Sequence, residues 1–194
     1  MAKLYFYYSA MNAGKSTVLL QANYNYKERG MNTLLYSPSI DNRFGVGKIT
    51  SRIGLNADSR QIDIDFDIYA DVKDVLQQDP DLACVLIDEA QFLTKQQVLQ
   101  LCGIADKLGV PVLCYGLRSD FRNEPFEGSM YLLTLADNLI EIKTVCHCGR
   151  KATMNMRVDA KGNKVTEGEQ ISIGGNDLYL ATCRRHFFQP VYTS

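Results

Sequence analysis

The sequence predicts an α/β protein, a mostly parallel sheet flanked by helices, with a small β lobe appended. Three observations carry this. The N-terminal part reads as strand, Gly-containing loop, helix, strand, the opening of a parallel α/β sheet. Residues 82–87 and 110–115 are continuous apolar runs, as expected of strands covered on both faces. After Val145 helical patterning stops, and short strand-like pieces alternate with Gly- and charge-rich turns over residues 146–186.

Taken in order, residues 3–8 are aromatic and apolar and predict a buried first strand. Residues 15–29 are helical in composition, with Val18, Leu19, Ala22 and Tyr26 on one face and Gly30 as the stop. Residues 32–37 predict a second strand that ends at Pro38. Residues 39–67 are polar and Gly-dotted and predict no firm element. After the strand at 82–87, Thr94 opens a helix, with Gln97 placed to complete a capping box. Val98, Leu101, Cys102, Ala105 and Leu108 line one face of that helix, and Gly109 closes it. These boundaries predict an α/β domain over residues 1–145, a second lobe over 146–190 and a tail at 191–194 with nothing to pack. The chain has no internal repeat and no low-complexity segment.

At 194 residues the chain is long enough to bury a real core. Hydrophobic residues at 46% and charged residues at 22% are those of a soluble globular protein. Lys and Arg number 21 against 22 Asp and Glu, a balance that argues against nucleic acid as the main partner, since such binding draws on phosphate neutralisation. No apolar stretch reaches the roughly 18–20 residues of a membrane span, and the N-terminus lacks the apolar core and cleavage site of a secretory signal. A cytoplasmic protein without membrane contact is the expectation.

The first strand leads into Ser9-Ala10-Met11-Asn12-Ala13-Gly14-Lys15-Ser16, which, apart from Ser9, fits the P-loop pattern G-x-x-x-x-G-K-S/T. Backbone amides of such a loop and of the helix N-terminus favour an anion. Lys15 would reach the β- and γ-phosphates of ATP, and the Ser16 hydroxyl would bind Mg²⁺. Ser9 stands where the pattern has Gly, so its φ must be one that a side chain allows. The strand at 82–87 ends in Asp88 and Glu89. Asp88 is the candidate for Mg²⁺, and Glu89 for a general base that takes a proton from an attacking hydroxyl or water.

Of the six cysteines, Cys84, Cys102 and Cys114 lie in apolar segments and read as core residues. Cys146, Cys148, Cys183 and His186 form two short pairs whose side chains suit tetrahedral Zn²⁺. Four protein ligands leave no open position, so the metal would be structural. The first pair is C-x-C, which demands a tight turn; His147 between the two cysteines could compete for a ligand position, although its ring would more naturally point away.

The motifs in sequence, from the phosphate loop through Asp88-Glu89-Ala90-Gln91-Phe92, Tyr115-Gly116-Leu117-Arg118-Ser119-Asp120-Phe121, Pro125-Phe126-Glu127-Gly128 and the cysteine pairs to Ile173-Gly174-Gly175-Asn176-Asp177-Leu178-Tyr179, resemble the type II, zinc-containing thymidine kinases. The resemblance spans about residues 3–186. It implies a RecA-like core joined to a zinc lobe whose lasso-like loop covers the base, and ATP-dependent phosphorylation of the thymidine 5′-hydroxyl, with deoxyuridine as a further acceptor. It implies Glu89 as the catalytic base and places Gln91 with the residues of the ATP site. The base would be held by Ile173, Gly174 and Tyr179, with Met11, Phe92, Leu117, Phe121 and Phe126 as the apolar surround. Asp41 and Arg43 match a segment near the phosphates; Arg118, read from the proposed chemistry and not from the family, either steadies transferred charge or has a surface role. Homotetramers and feedback inhibition by thymidine triphosphate are further expectations from the family. Ala10, where the family has Pro, and the C-x-C pair depart from its broader pattern. Two rivals are set against this reading: a RecA-like ATPase whose zinc ribbon acts on nucleic acid, and a nucleotide-binding regulatory module without catalysis.

Overall fold

The computed structural model describes residues 1–40, 47–170 and 179–189. Its centre is a six-stranded sheet built from β1 (Leu4–Ser9), β2 (Asn32–Pro38), β5 (Arg60–Ile62), β6 (Leu82–Ile87), β7 (Val112–Leu117) and β8 (Asn138–Glu141). The spatial order is β5-β2-β6-β7-β1-β8, and every neighbouring pair is parallel. A short antiparallel pair, β3 (Lys48–Thr50) and β4 (Asn56–Asp58), lies in the stretch that gave no sequence prediction.

Both faces of the sheet are apolar because alternate residues of each strand point to opposite sides. Leu4, Phe6, Val85, Ile87, Val112 and Cys114 enter one buried cluster, and Leu35, Cys84, Leu86, Leu113 and Tyr115 enter the other. The second face is covered by α1 (Lys15–Glu28) through Leu19 and Leu20. The first is covered by α2 (Ile68–Gln78), α3 (Lys95–Gly103) and α4 (Glu127–Leu135), through Ile68, Val72, Val98, Leu101 and Leu132.

Helix α1 presents Leu19, Ala22 and Tyr26 of its predicted face to the core, and Val18 departs from it. Val18 is exposed, while Leu20 and Asn23 are buried, and the Asn23 Oδ1 accepts from the Thr33 hydroxyl of β2. The capping box of α3 is present in both halves, between Thr94 and Gln97. Its continuation to Leu108 is not α-helical: Ile104–Leu108 is a π-helical segment, ended by Gly109 at φ 72°. The predicted strand at 110–115 sits two residues further on, as β7.

At the predicted boundary of the second lobe, β9 (Thr144–Val145) pairs with β10 (Lys151–Ala152). β11 (Met154–Val158) is flanked by β12 (Lys164–Val165) and β13 (Tyr179–Thr182), and α5 (Arg184–Phe187) follows. Its cores are small: Met154, Met156, Val158 and Phe187 form one, and Cys146, Ala152 and Cys183 the other. The tail at 191–194 lies outside the described residues.

Candidate active site

Because all six strands run the same way, β1, β6 and β7 bring Ser9, Ile87 and Leu117 to one edge of the sheet, where ligands of open α/β folds bind. The phosphate loop leaves β1 there. Its positive φ values fall on Asn12 (61°) and Gly14 (86°), and Ser9 is not among the residues with positive φ. A side chain is therefore tolerated at the position where the pattern has Gly. The Lys15 amine folds back over the loop, donating to Ser9 Oγ at 3.2 Å and to the Ala10 carbonyl at 3.3 Å.

The loop meets the acidic strand end directly. The Ser16 hydroxyl donates to Asp88 Oδ2 at 3.0 Å, so the two residues assigned to Mg²⁺ touch. Burial first, and the neighbouring Glu89 charge second, push the Asp88 carboxyl up to about 7, against the opposing pull of the Ser16 hydrogen bond. A cation at this point would relieve the repulsion between the two acids. The Ser16 hydroxyl and the Asp88 carboxylate are hard oxygen donors of the kind Mg²⁺ takes.

Glu89 adopts a left-handed conformation, φ 46° and ψ 40°, that is uncommon for a residue other than Gly, Asn or Asp. Backbone of this kind concentrates at functional sites. It opens the 3₁₀ turn Ala90–Phe92, where Gln91 is buried and fully engaged. The Gln91 amide nitrogen donates to Glu89 Oε2, and its oxygen accepts the Leu117 N–H at 3.0 Å. Gln91 thus links the Glu89 carboxylate to the end of β7.

This turn is fixed from behind by glycine. A Cβ on Gly128 would lie 2.5 Å from the Ala90 carbonyl oxygen, 2.8 Å from that of Leu93 and 2.9 Å from that of Gln91. Only Gly lets α4 sit so close. The Ser129 hydroxyl then donates to the Leu117 carbonyl, and Glu127 Oε1 accepts the Lys95 N–H at the start of α3.

The aromatic residues fall in two groups. Phe92 and Phe126 meet edge to face at 5.7 Å, beside a cleft of about 500 Å³ that Ser39, Asp63, Gln97 and Glu127 also line. Phe121 and Tyr179 meet at 6.4 Å, with the Arg157 guanidinium 5.3 Å from the Phe121 ring. Phe121 is held by a turn in which the buried Asp120 carboxylate accepts the N–H groups of Arg122 and Glu124. Arg118 is directed to the second lobe, where its guanidinium donates to the Thr153 carbonyl at 3.3 Å. Met11 also touches that lobe: its N–H is donated to Asn155 Oδ1 at 2.7 Å. Asp41, Arg43, Ile173 and Gly174 lie outside the described residues.

Cys146, Cys148, Cys183 and His186 come together, with their ligand atoms all within 4.8 Å of one another. Zinc–sulfur bonds of about 2.3 Å and zinc–nitrogen bonds of about 2.0 Å at tetrahedral angles put ligand atoms about 3.5–3.8 Å apart. The observed separations are 3.9 Å for Cys148 to Cys183, 3.4 Å for Cys146 to His186 and 3.6 Å for Cys183 to His186. Three sulfurs and an imidazole at these distances fit a closed metal site. The tight C-x-C turn is closed by Gly149 at φ 78°, with its N–H on the Cys146 carbonyl. Of the two placements open to His147, the structure shows the ring beside the cluster. Its ring stacks on His186 at 4.2 Å, and Nδ1 lies 3.5 Å from Cys146 Sγ.

Sequence reasoning missed Asn155, Asp120 and the structural demand on Gly128. A lone Asn between Met154 and Met156 in a strand was the one available signal, since a buried amide there needs partners.

Fold and site together define a parallel α/β protein with a P-loop pattern at the end of its first strand and a Cys₃His cluster in an appended lobe. A family model described as thymidine kinase matches residues 2–187. The chain is 60% identical to a thymidine kinase of Coxiella burnetii across the full length of both chains. It is 59% identical to one of Pasteurella multocida over 98% of this chain and 99% of the other, and 57% identical to one of Vibrio cholerae over 96% and 97%. The chain belongs to the thymidine kinase family.

Proposed function

We propose that this chain transfers the γ-phosphate of ATP to the 5′-hydroxyl of thymidine, giving the 5′-monophosphate. One observation carries the mechanism. Glu89, oriented by Gln91, stands beside Asp88, which is already hydrogen-bonded to Ser16 of the phosphate loop. A base for the acceptor hydroxyl and the group that would hold Mg²⁺ are therefore neighbours on one strand end.

In this reading Ser9, Ala10, Met11, Asn12, Ala13 and Gly14 wrap the ATP phosphates, and Lys15 turns from Ser9 and Ala10 to the transferred group. Ser16 and Asp88 would hold Mg²⁺, which neutralises phosphate charge when bound. Glu89 takes the 5′-hydroxyl proton as that oxygen attacks in line, and positioning with electrostatics supplies most of the rate. Phe92, Leu117, Phe121, Phe126 and Tyr179 enclose the base, and Arg118 and Gln91 act through the lobe contact and through Glu89. Zn²⁺ is the metal assigned to the Cys₃His cluster, where thiolates and an imidazole suit it. Residues 1–145 serve as catalytic domain and 146–190 as zinc lobe. Homotetramer formation, feedback inhibition by thymidine triphosphate and a cytoplasmic location complete the proposal. No described helix is long and apolar enough to cross a membrane. The ATPase acting on nucleic acid is not favoured, given a net charge of −1 and relatives named as thymidine kinases.

The test is transfer from γ-labelled ATP with Mg²⁺ to thymidine, deoxycytidine, deoxyguanosine or no acceptor. Label in thymidine monophosphate is the expected result. Release only as inorganic phosphate, whatever the acceptor, would overturn it.

A further inference from the structure

β11 carries two faces. Met154, Met156 and Val158 point into the lobe's own core, and the strand's period of two sends Asn155 and Arg157 the other way. Asn155 is only 3% exposed, where an amide is costly unless both ends are hydrogen-bonded. Both ends are bonded. Oδ1 accepts the Met11 N–H at 2.7 Å, and Nδ2 donates to the Ser119 carbonyl at 2.8 Å. One side chain of the second lobe thus joins the phosphate loop to the segment that follows β7. The Arg118 contact with the Thr153 carbonyl lies in the same seam.

Backbone amides of a phosphate loop ordinarily face the phosphates. Here the Met11 amide is given to the other lobe instead. Its peptide plane is fixed just before Asn12, whose φ of 61° turns the chain into the rest of the loop. The direction of the amides that follow depends on that plane. We propose that Asn155 is a positioning residue for the phosphate loop: through the Met11 amide, the second lobe sets the loop conformation that receives ATP. The inference rests on the proposed reading that this loop holds ATP. It makes nucleotide affinity depend on a lobe that need not touch the phosphates.

The test compares wild type with Asn155→Ala by equilibrium binding of ATP without acceptor, by KM for ATP and for thymidine, and by metal content. Losing one charge-neutral hydrogen bond to the loop is expected to weaken ATP binding about tenfold. KM for thymidine should change by less than about threefold and metal content not at all. Asn155→Gln keeps both an acceptor for the Met11 amide and a donor for the Ser119 carbonyl and should recover part of the lost affinity. Unchanged ATP affinity in Asn155→Ala, or a rise in thymidine KM without one for ATP, would overturn the proposal and place Asn155 in the acceptor pocket. If the Ala variant does not fold, Asn155→Ser, whose hydroxyl is too short to reach the Met11 amide, decides: ATP affinity more than about threefold weaker with thymidine KM unchanged supports the proposal, and unchanged ATP affinity overturns it. Because ATP binding is read without acceptor, failure of thymidine transfer in the wild type would strike the acceptor assignment alone.

Discussion

The sheet domain and the second lobe reach order by different means. The first buries apolar side chains on both faces of six parallel strands, under four helices. Among the described residues the second has two small buried clusters, and two of the residues in one of them, Cys146 and Cys183, belong to the Cys₃His set. Packing is enough for a body of the first kind, while one of the second kind needs a ligated metal or a neighbour. The lobe has a Cys₃His set able to hold a metal, and Asn155 and Thr153 tie it to the edge of the sheet domain. Placement of a functional group is therefore robust on one side of the seam and conditional on the other.

The largest expected effect is at the metal. Structural zinc contributes about 10 kcal/mol or more to the folding of small domains. Cys183→Ser should bring metal content well below one per chain and make the lobe melt before the sheet, seen as two transitions in circular dichroism. One metal per chain and a single unchanged transition would break the comparison.

Next is the reaction itself. Glu89→Gln should cut turnover by about 10²–10⁴ with ATP binding and metal content intact, which stopped-flow transfer and equilibrium binding would read separately. Unchanged turnover would remove Glu89 as the base.

Gly128→Ala forces a Cβ against three backbone oxygens of the turn that carries Gln91. It should cost about 1–3 kcal/mol and lower turnover, with metal content unaffected. A melting temperature equal to wild type would mean that the turn yields more easily than its packing implies.

Smallest is Thr94→Ala, which removes the hydroxyl half of the α3 capping box. About 1 kcal/mol of stability should be lost in denaturant titration, with turnover unchanged. A loss of turnover here would show that α3 is coupled to the site more tightly than its contacts suggest.

Much of this could be read from the sequence, for physical reasons. β6 was found residue for residue because strands buried on both faces are apolar throughout, and Thr94 because capping chemistry is local. Helices α2 and α4 went unpredicted. α2 follows the polar stretch at 39–67, and α4 starts at Phe126 without a side-chain cap. Phosphate-loop, acidic and cysteine motifs carried the site because each packs its chemistry into a few adjacent residues. Asn155 escaped because its partners, Met11 and Ser119, are 144 and 36 positions away. The placement of His147 stayed open because whether the C-x-C turn lets its ring fold onto His186 is an outcome of three-dimensional geometry alone.

The two faces of β11 make its pairing with β13 a matter of function. Met154 sits opposite Thr182, and Arg157 opposite Tyr179. A slip of one residue would turn Asn155 into the lobe's core and present methionines to the phosphate loop. The backbone ladder distinguishes the two alignments poorly, since the same groups pair in each. Cys183 follows Thr182 at the end of β13, and its sulfur is grouped with two from the β9–β10 turn. A metal held by the Cys₃His set would thereby be a register pin, deciding which face of one short strand meets the loop after β1.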